Sequence, residues 1–228
     1  MPALEFSSLE LREDFCYTEV FMADKEKLAK ERMEEYTQLR EKLTAEGYTE
    51  HKAVISILKA NVVGCAIALP LIILFSLLFV ILALEKDTTI FDSIVRNEMF
   101  LFLTIIVSIP IHELLHGAGW ILFCKDGRKS INFGFMWKSL TPYCHCSEAL
   151  RLAHYYIGLI APFFFLGIIP CVVSLFNGSV FLLLFGFFGI IGAGGDLAIG
   201  CTIFKYIGKN ALLLDHPSEC GCAVFTKD

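Results

Sequence analysis

The chain has 228 residues, room for one domain, and 56% of them are hydrophobic, with a mean hydropathy of +0.64. A soluble domain of this size has no need of so much apolar surface, so a bilayer is the natural solvent for the excess. The net charge of -5 is small and nothing in the sequence reads as a nucleic-acid footprint.

No short apolar stretch stands behind a basic start and before a small-residue cleavage site, so no removable signal peptide is expected. The first membrane segment then serves as its own address. Residues 1–57 are polar and rich in Glu and Lys, and the composition from about Ala23 to Leu43 predicts a helix that ends before Gly47. Leu28, Tyr36, Leu39 and Leu43 fall only loosely on one face, the pattern of a solvated or membrane-surface helix rather than a docked one.

Four apolar runs follow, at about 61–84, 98–124, 150–177 and 179–204. Each reaches the roughly 20 residues that cross the hydrocarbon as a helix. Lys and Arg cluster before the first run, in the stretch holding Lys125, Arg128, Lys129, Lys138 and Arg151, and after the fourth at Lys205 and Lys209, whereas 85–97 holds only Lys86 and Arg96. The positive-inside rule puts both termini and the 125–149 loop on the cytoplasmic side of the cell membrane.

Asn177-Gly178-Ser179 separates the third and fourth runs and predicts a tight turn between antiparallel helices. Its match to a glycosylation acceptor is discounted, because the turn lies so close to the membrane. In the 125–149 loop, Ile131, Phe133, Phe135 and Trp137 alternate with other residues, and a second extended stretch runs from Thr141 to Cys146. Together they predict a small β-hairpin. The expected fold is thus an all-α membrane protein with about four transmembrane helices: a polar helical segment at 1–57, then a membrane-embedded domain at 58–228 carrying one cytoplasmic hairpin.

The chemistry concentrates in His112-Glu113-Leu114-Leu115-His116, inside the second run. Residues four apart share a helix face, so both imidazoles can reach one metal ion while Glu113 addresses the water it activates. Zinc is the ion such a set serves in peptidases: neutral histidines hold it and a carboxylate takes the proton from water. Three ionisable groups within a span are costly, on the order of 2.5 kcal/mol each, so they need a partner.

Catalytic zinc usually takes three protein ligands. The metzincin extension fails, since Gly119 matches its glycine but Leu122 stands where the third ligand belongs. Asp196, within Gly192-Ala193-Gly194-Gly195-Asp196-Leu197, is the only carboxylate in the third or fourth run. His116 and Asp196 each stand eight residues before the inner end of their span, about 12 Å at the helical rise, so they can meet at one level. His154, early in the third span, is the rival third ligand, and a cap at a glycine-induced break is the plainer role for Asp196. Pro110 is placed to kink the second span, and Gly117 and Gly119 to admit a neighbouring helix. Cys144-His145-Cys146 with Cys220-Gly221-Cys222 offers a second possible zinc site, although CxC spacing is not that of a zinc ribbon. His51 and His216 fall in polar segments and carry no functional signal.

From about the first span to its end the sequence resembles a family of bacterial membrane proteins catalogued as zincin peptidases, formerly a domain of unknown function. The resemblance rests on Ile111-His112-Glu113-Leu114-Leu115-His116-Gly117, on Thr141-Pro142-Tyr143-Cys144-His145-Cys146 followed by Ala161-Pro162, on Gly194-Gly195-Asp196, and on Asp215-His216-Pro217-Ser218-Glu219 before Gly221-Cys222. More distantly the chain is similar to the site-2 proteases, which pair a membrane-embedded HExxH with an aspartate from a later helix. That resemblance implies His112, His116 and Asp196 as zinc ligands and Glu113 as general base. It departs at Asp196, which glycines precede and Leu197 follows, whereas the site-2 pattern has Asp before Gly. The expected function is a zinc metallopeptidase that cleaves a peptide or membrane-protein substrate within or beside the lipid bilayer. The rival is a non-enzymatic metal-binding membrane protein with a structural, regulatory or metal-carrier role.

Overall fold

A computed structural model describes residues 27–85, 98–136 and 141–227. The polar helix runs through 27–45 (α1), and positions 23–26 of its expected range lie outside the described residues. The helix is docked rather than solvated. Leu43 is 5% exposed and packs with Leu214, Ala223 and Phe225, while Tyr36 and Leu39 are partly covered by the same cluster. Leu28 alone of the four apolar positions stays well exposed.

Among the described residues three helices are long and apolar enough to cross a membrane: α2 (Ile57–Glu85), α3 (Glu98–Ile121) and α4 (Leu152–Asn177). Leu69, Ile73, Leu77 and Ile81 of α2, with Phe102, Leu103, Ile106 and Val107 of α3, are exposed. A continuous apolar surface of that kind suits hydrocarbon and not water. α3 stays helical through Pro110. In α4 a π-helical turn, Phe163–Ile168, follows Pro162 directly, where the missing N–H interrupts the α-helical ladder.

The fourth run is not one straight helix. α5 (Val180–Gly192) and α6 (Gly194–Ile203) pass as a span only together, bent by 47° at Ala193. The expected turn before α5 is present: the Asn177 side chain accepts from the Ser179 amide, and the Ser179 hydroxyl accepts from the Leu182 amide and caps the helix. Ala68, Phe75 and Phe79 of α2, Cys171 of α4 and Val180, Leu183 and Ile190 of α5 form the core between the spans.

The all-α expectation needs correction. Besides the expected hairpin, β2 (Ile131–Met136) with β3 (Thr141–Cys146), there is a four-stranded antiparallel sheet ordered β1-β6-β5-β4. Its strands are β1 (Thr49–Val54), β4 (Leu150–Arg151), β5 (Ala211–Asp215) and β6 (Gly221–Thr226). β5 and β6 read as short apolar runs because both faces are covered, by α1 on one side and the helix ends on the other. β1, from the polar N-terminal segment, pairs with β6 from Thr49 opposite Thr226 to Val54 opposite Gly221. Trp137, assigned to the hairpin from its alternation, lies outside the described residues.

Both sheets attach to the start of α2, the end of α3, the start of α4 and the end of α6. They therefore gather at one end of the helices. There Trp120, Ile131, Cys146, Tyr155, Ile203, Leu213 and Val224 make a second core between helices and strands.

Candidate metal centre

His112, Glu113 and His116 lie on α3, and Asp196 lies in the first turn of α6. What delivers Asp196 is a backbone contact between α2 and α6. A Cβ added to Gly64 would sit 2.7 Å from the Gly194 Cα and carbonyl carbon, so these helices touch where only hydrogen fits. The bend at Ala193 then aims the start of α6 at α3.

The three candidate ligands converge. His112 Nε2 is 3.1 Å from Asp196 Oδ2, His116 Nε2 is 3.4 Å from Asp196 Oδ1, and the two Nε2 atoms are 3.2 Å apart. All three donor atoms lie within 4.8 Å of one another, and no other His, Cys, Asp or Glu group among the described residues gathers in this way.

The surroundings of His116 fix which nitrogen faces the cluster. Its Nδ1 lies 2.8 Å from the Gly158 carbonyl, and a carbonyl can only accept, so Nδ1 holds the proton. In the neutral ring Nε2 then presents a lone pair, towards the His112 ring and both oxygens of Asp196. With His112 Nε2 likewise unprotonated, the three groups offer only acceptors to the space between them, a set that suits a cation. The Gly158 carbonyl is available because Pro162, four residues on, has no N–H to offer it. Close crossing of α3 and α4 makes the bond reachable: a Cβ on Gly119 would stand 2.6 Å from the Gly158 Cα. Trp120 stacks on His116 with rings 5.4 Å apart and 15° from parallel, and donates its indole N–H to the Tyr155 carbonyl at 2.9 Å.

A cavity of about 970 Å³ reaches from these residues to the sheets, and Glu113, His116, Asp196, Cys144, His145 and Asp215 all line it. The Glu113 carboxylate lies against the backbone amide of Cys144. Two residues along β3, the Cys146 amide donates to Asp215 Oδ2 at 3.1 Å. Residues two apart point their amides to the same side of a strand, so the edge of β3 facing away from β2 meets one carboxylate of α3 and one of β5. Asp215 also accepts from the Tyr155 hydroxyl at 2.5 Å, and His145 Nδ1 lies 3.8 Å away. Burial pushes the His145 imidazole below its ordinary pKa, which keeps the ring neutral. At the rim, Arg32 of α1 donates to the Tyr143 hydroxyl at 2.5 Å and stacks on its ring.

The remaining candidates fall elsewhere. His154 stacks on Phe123 with ring centroids 4.0 Å apart and is not among the three converging donors. The CxC pairs do not assemble a second site among the described residues: Cys146 Sγ is 3.6 Å from Cys124 Sγ, and Cys222 is buried in β6. Burial, with the Asp215 charge adding to it, pushes the thiols of Cys144, Cys146 and Cys222 well up. Gly117 faces the side chains of Phe133 and Ile131 rather than a helix. His216, which gave no signal in the sequence, lines the cavity and accepts from the Glu219 amide at 3.0 Å. Gly158, Trp120, Tyr155 and Arg32 were not singled out from the sequence, and Asp215 and Pro162 entered it only within the motifs of the resemblance, without a role. The signal that could have found Gly158 is Pro162, which frees a carbonyl four residues before it.

Comparison with curated proteins and with solved structures found no match. Comparison with family models did: over residues 105–210, the stretch that carries His112, Glu113, His116, Gly158, Pro162 and Asp196, the chain matches the family described as Putative zincin peptidase.

Proposed function

We propose that the protein is a membrane-embedded zinc metallopeptidase, with His112, His116 and Asp196 holding the ion and Glu113 as the general base. The observation that carries the reading is the meeting of three ligand atoms beside a cavity of about 970 Å³ that Glu113, His116 and Asp196 line. Zinc in such a set supplies Lewis acidity and brings water into the range where a carboxylate deprotonates it. Glu113 takes that proton and returns it to the leaving amine. Asp196 and the Gly158-bound His116 keep the ligands oriented. A substrate laid along β3 as an added strand takes the Cys144 amide with its own carbonyl, and so releases Glu113 for proton transfer. Three protein ligands beside open space favour this reading over a closed structural or carrier site, which would take a fourth ligand and no substrate.

The site lies within α3, so the bond cut lies in or next to the bilayer, as the resemblance to site-2 proteases implies. Arg32, Lys52, Lys125, Lys129, Arg151 and Lys209 stand at the end of the molecule that carries the sheets, and we assign that end, with both termini, to the cytoplasmic face of the cell membrane. The test is peptide hydrolysis by purified, zinc-loaded protein. Glu113→Gln is expected to lower the rate by on the order of 10²-fold or more while zinc stays bound. Full activity in that variant overturns the assignment of the base.

A further inference from the structure

A second cavity lies away from the metal centre, where the first turn of α4 meets the chain that leaves α6. It measures about 630 Å³ and is lined by Arg151, Leu152, Tyr156, Ile157, Ile207 and Lys209, among others. Its depth follows from the spans: α4 enters the apolar region at Leu152, and the broken fourth span ends at Tyr206. The cavity therefore sits at the level where hydrocarbon gives way to headgroups, on the same end as the sheets.

Its lining is divided by chemistry. Ile157 and Ile207 are 45% and 54% exposed and continue the apolar belt of the spans. Arg151 and Lys209 are exposed cations, and among the described residues the lining contains no Asp or Glu. Neither has an acidic partner among the described residues; Lys209 only lies over the Tyr206 ring at 5.7 Å, where Lys205 joins it at 5.1 Å. The Tyr156 hydroxyl is already given to the Gly200 carbonyl, which leaves Arg151 and Lys209 as the charged groups of the cavity beside the neutral amide of Asn210. The start of α4 has the same sign, having no side-chain cap and no acid in its first turn.

We propose that this cavity binds an anionic phospholipid, with the phosphate between Arg151 and Lys209 and an acyl chain along Ile157 and Ile207. Two uncompensated cations at the membrane surface attract any phosphate. The apolar wall decides for the lipid, because free phosphate leaves that wall facing water. A neutral lipid would use the wall but not the charges.

The test uses the full chain in nanodiscs of phosphatidylcholine containing a small fraction of phosphatidylglycerol, with retained lipids counted by native mass spectrometry. The wild type is expected to retain phosphatidylglycerol in preference to phosphatidylcholine. Arg151→Gln with Lys209→Gln should weaken that preference roughly thirtyfold, and Lys209→Gln alone, at an exposed position, about fivefold. Lys125→Gln with Lys129→Gln, which removes two cations from the same end but outside the cavity, should change nothing. Equal retention of the two lipids overturns the proposal. So does an equal loss in the Lys125/Lys129 variant, which would mean diffuse surface charge, or displacement of the lipid by millimolar inorganic phosphate, which would mean a free-anion site.

Discussion

The imidazole of His116 donates to the carbonyl of Gly158 at 2.8 Å across the α3–α4 contact. That carbonyl is one its own helix cannot use, because the amide due to it belongs to Pro162. A proline that costs α4 one hydrogen bond thus supplies an acceptor to the candidate metal centre, and it does so without a polar side chain inside the membrane. Ligating histidines commonly have their second nitrogen held in this way, and the hold sets both ring orientation and basicity.

Replacing Pro162 with Ala returns a competing N–H to Gly158. The helix gains a bond, so thermal stability without metal should hold or rise, while zinc affinity falls about tenfold. Chelator competition measures the affinity and a melting curve the stability. An unchanged affinity would leave the freed carbonyl without a role.

Asp196 and His154 were both candidates for the third ligand, and they now stand apart. Asp196→Asn keeps the shape and removes the charge facing both imidazoles, so zinc stoichiometry of the purified protein should fall well below one. His154→Ala removes a ring stacked on Phe123 and should leave the stoichiometry unchanged. The opposite result would mean that the converging geometry is only an ion pair.

Glu148 closes the turn after α3. Burial alone would raise its carboxyl, but hydrogen bonds from the Ser130 hydroxyl and the amides of Asp126 and Lys125 hold it below the ordinary glutamate value. A carboxyl lowered on folding stabilises the fold above its unfolded pKa of about 4.3, and the contribution is lost as pH falls through the lower folded value. Wild type should therefore exceed Glu148→Gln by about 1 kcal/mol at neutral pH. The gap should begin to narrow as the pH drops below about 4 and go on narrowing towards the lower folded value. Denaturant titrations of both proteins from pH 7 to pH 3 measure it, and a gap that does not narrow contradicts the pairing.

The helices and the candidate residues His112, His116 and Asp196, which converge, were legible from simple signals. A long apolar run, a pair of histidines four apart and one carboxylate at matching depth need no knowledge of the rest of the chain. The four-stranded sheet was not legible, for two physical reasons. β5 and β6 are covered on both faces and so do not alternate, and the partner of β6 is β1, at the far end of the sequence. The docking of α1 was hidden for the same reason: Leu43 is buried by residues of β5 and β6 that gave no strand signal. Asp215 entered the sequence reading only as part of a resemblance motif, yet it holds Tyr155 and Cys146 together from three separate elements.

The α2–α6 contact carries the most exacting prediction, because it reaches the candidate metal centre only through backbone. A methyl at Gly64 would lie 2.7 Å from the Cα and carbonyl carbon of Gly194 and 2.8 Å from its oxygen, and none of these can rotate aside. Gly64→Ala must therefore push α6 away from α2, and Asp196 is in the first turn of α6. Overpacking of this kind costs about 1–3 kcal/mol, so the melting temperature should fall. Zinc affinity should fall with it, although position 64 is neither a ligand nor in contact with one. Gly192→Ala is the control, since nothing among the described residues lies within 4 Å of the methyl it would add, on the other side of the same bend. If Gly64→Ala melts earlier but binds zinc as tightly as the Gly192→Ala control, then Asp196 is positioned by α3 and not by the crossing with α2.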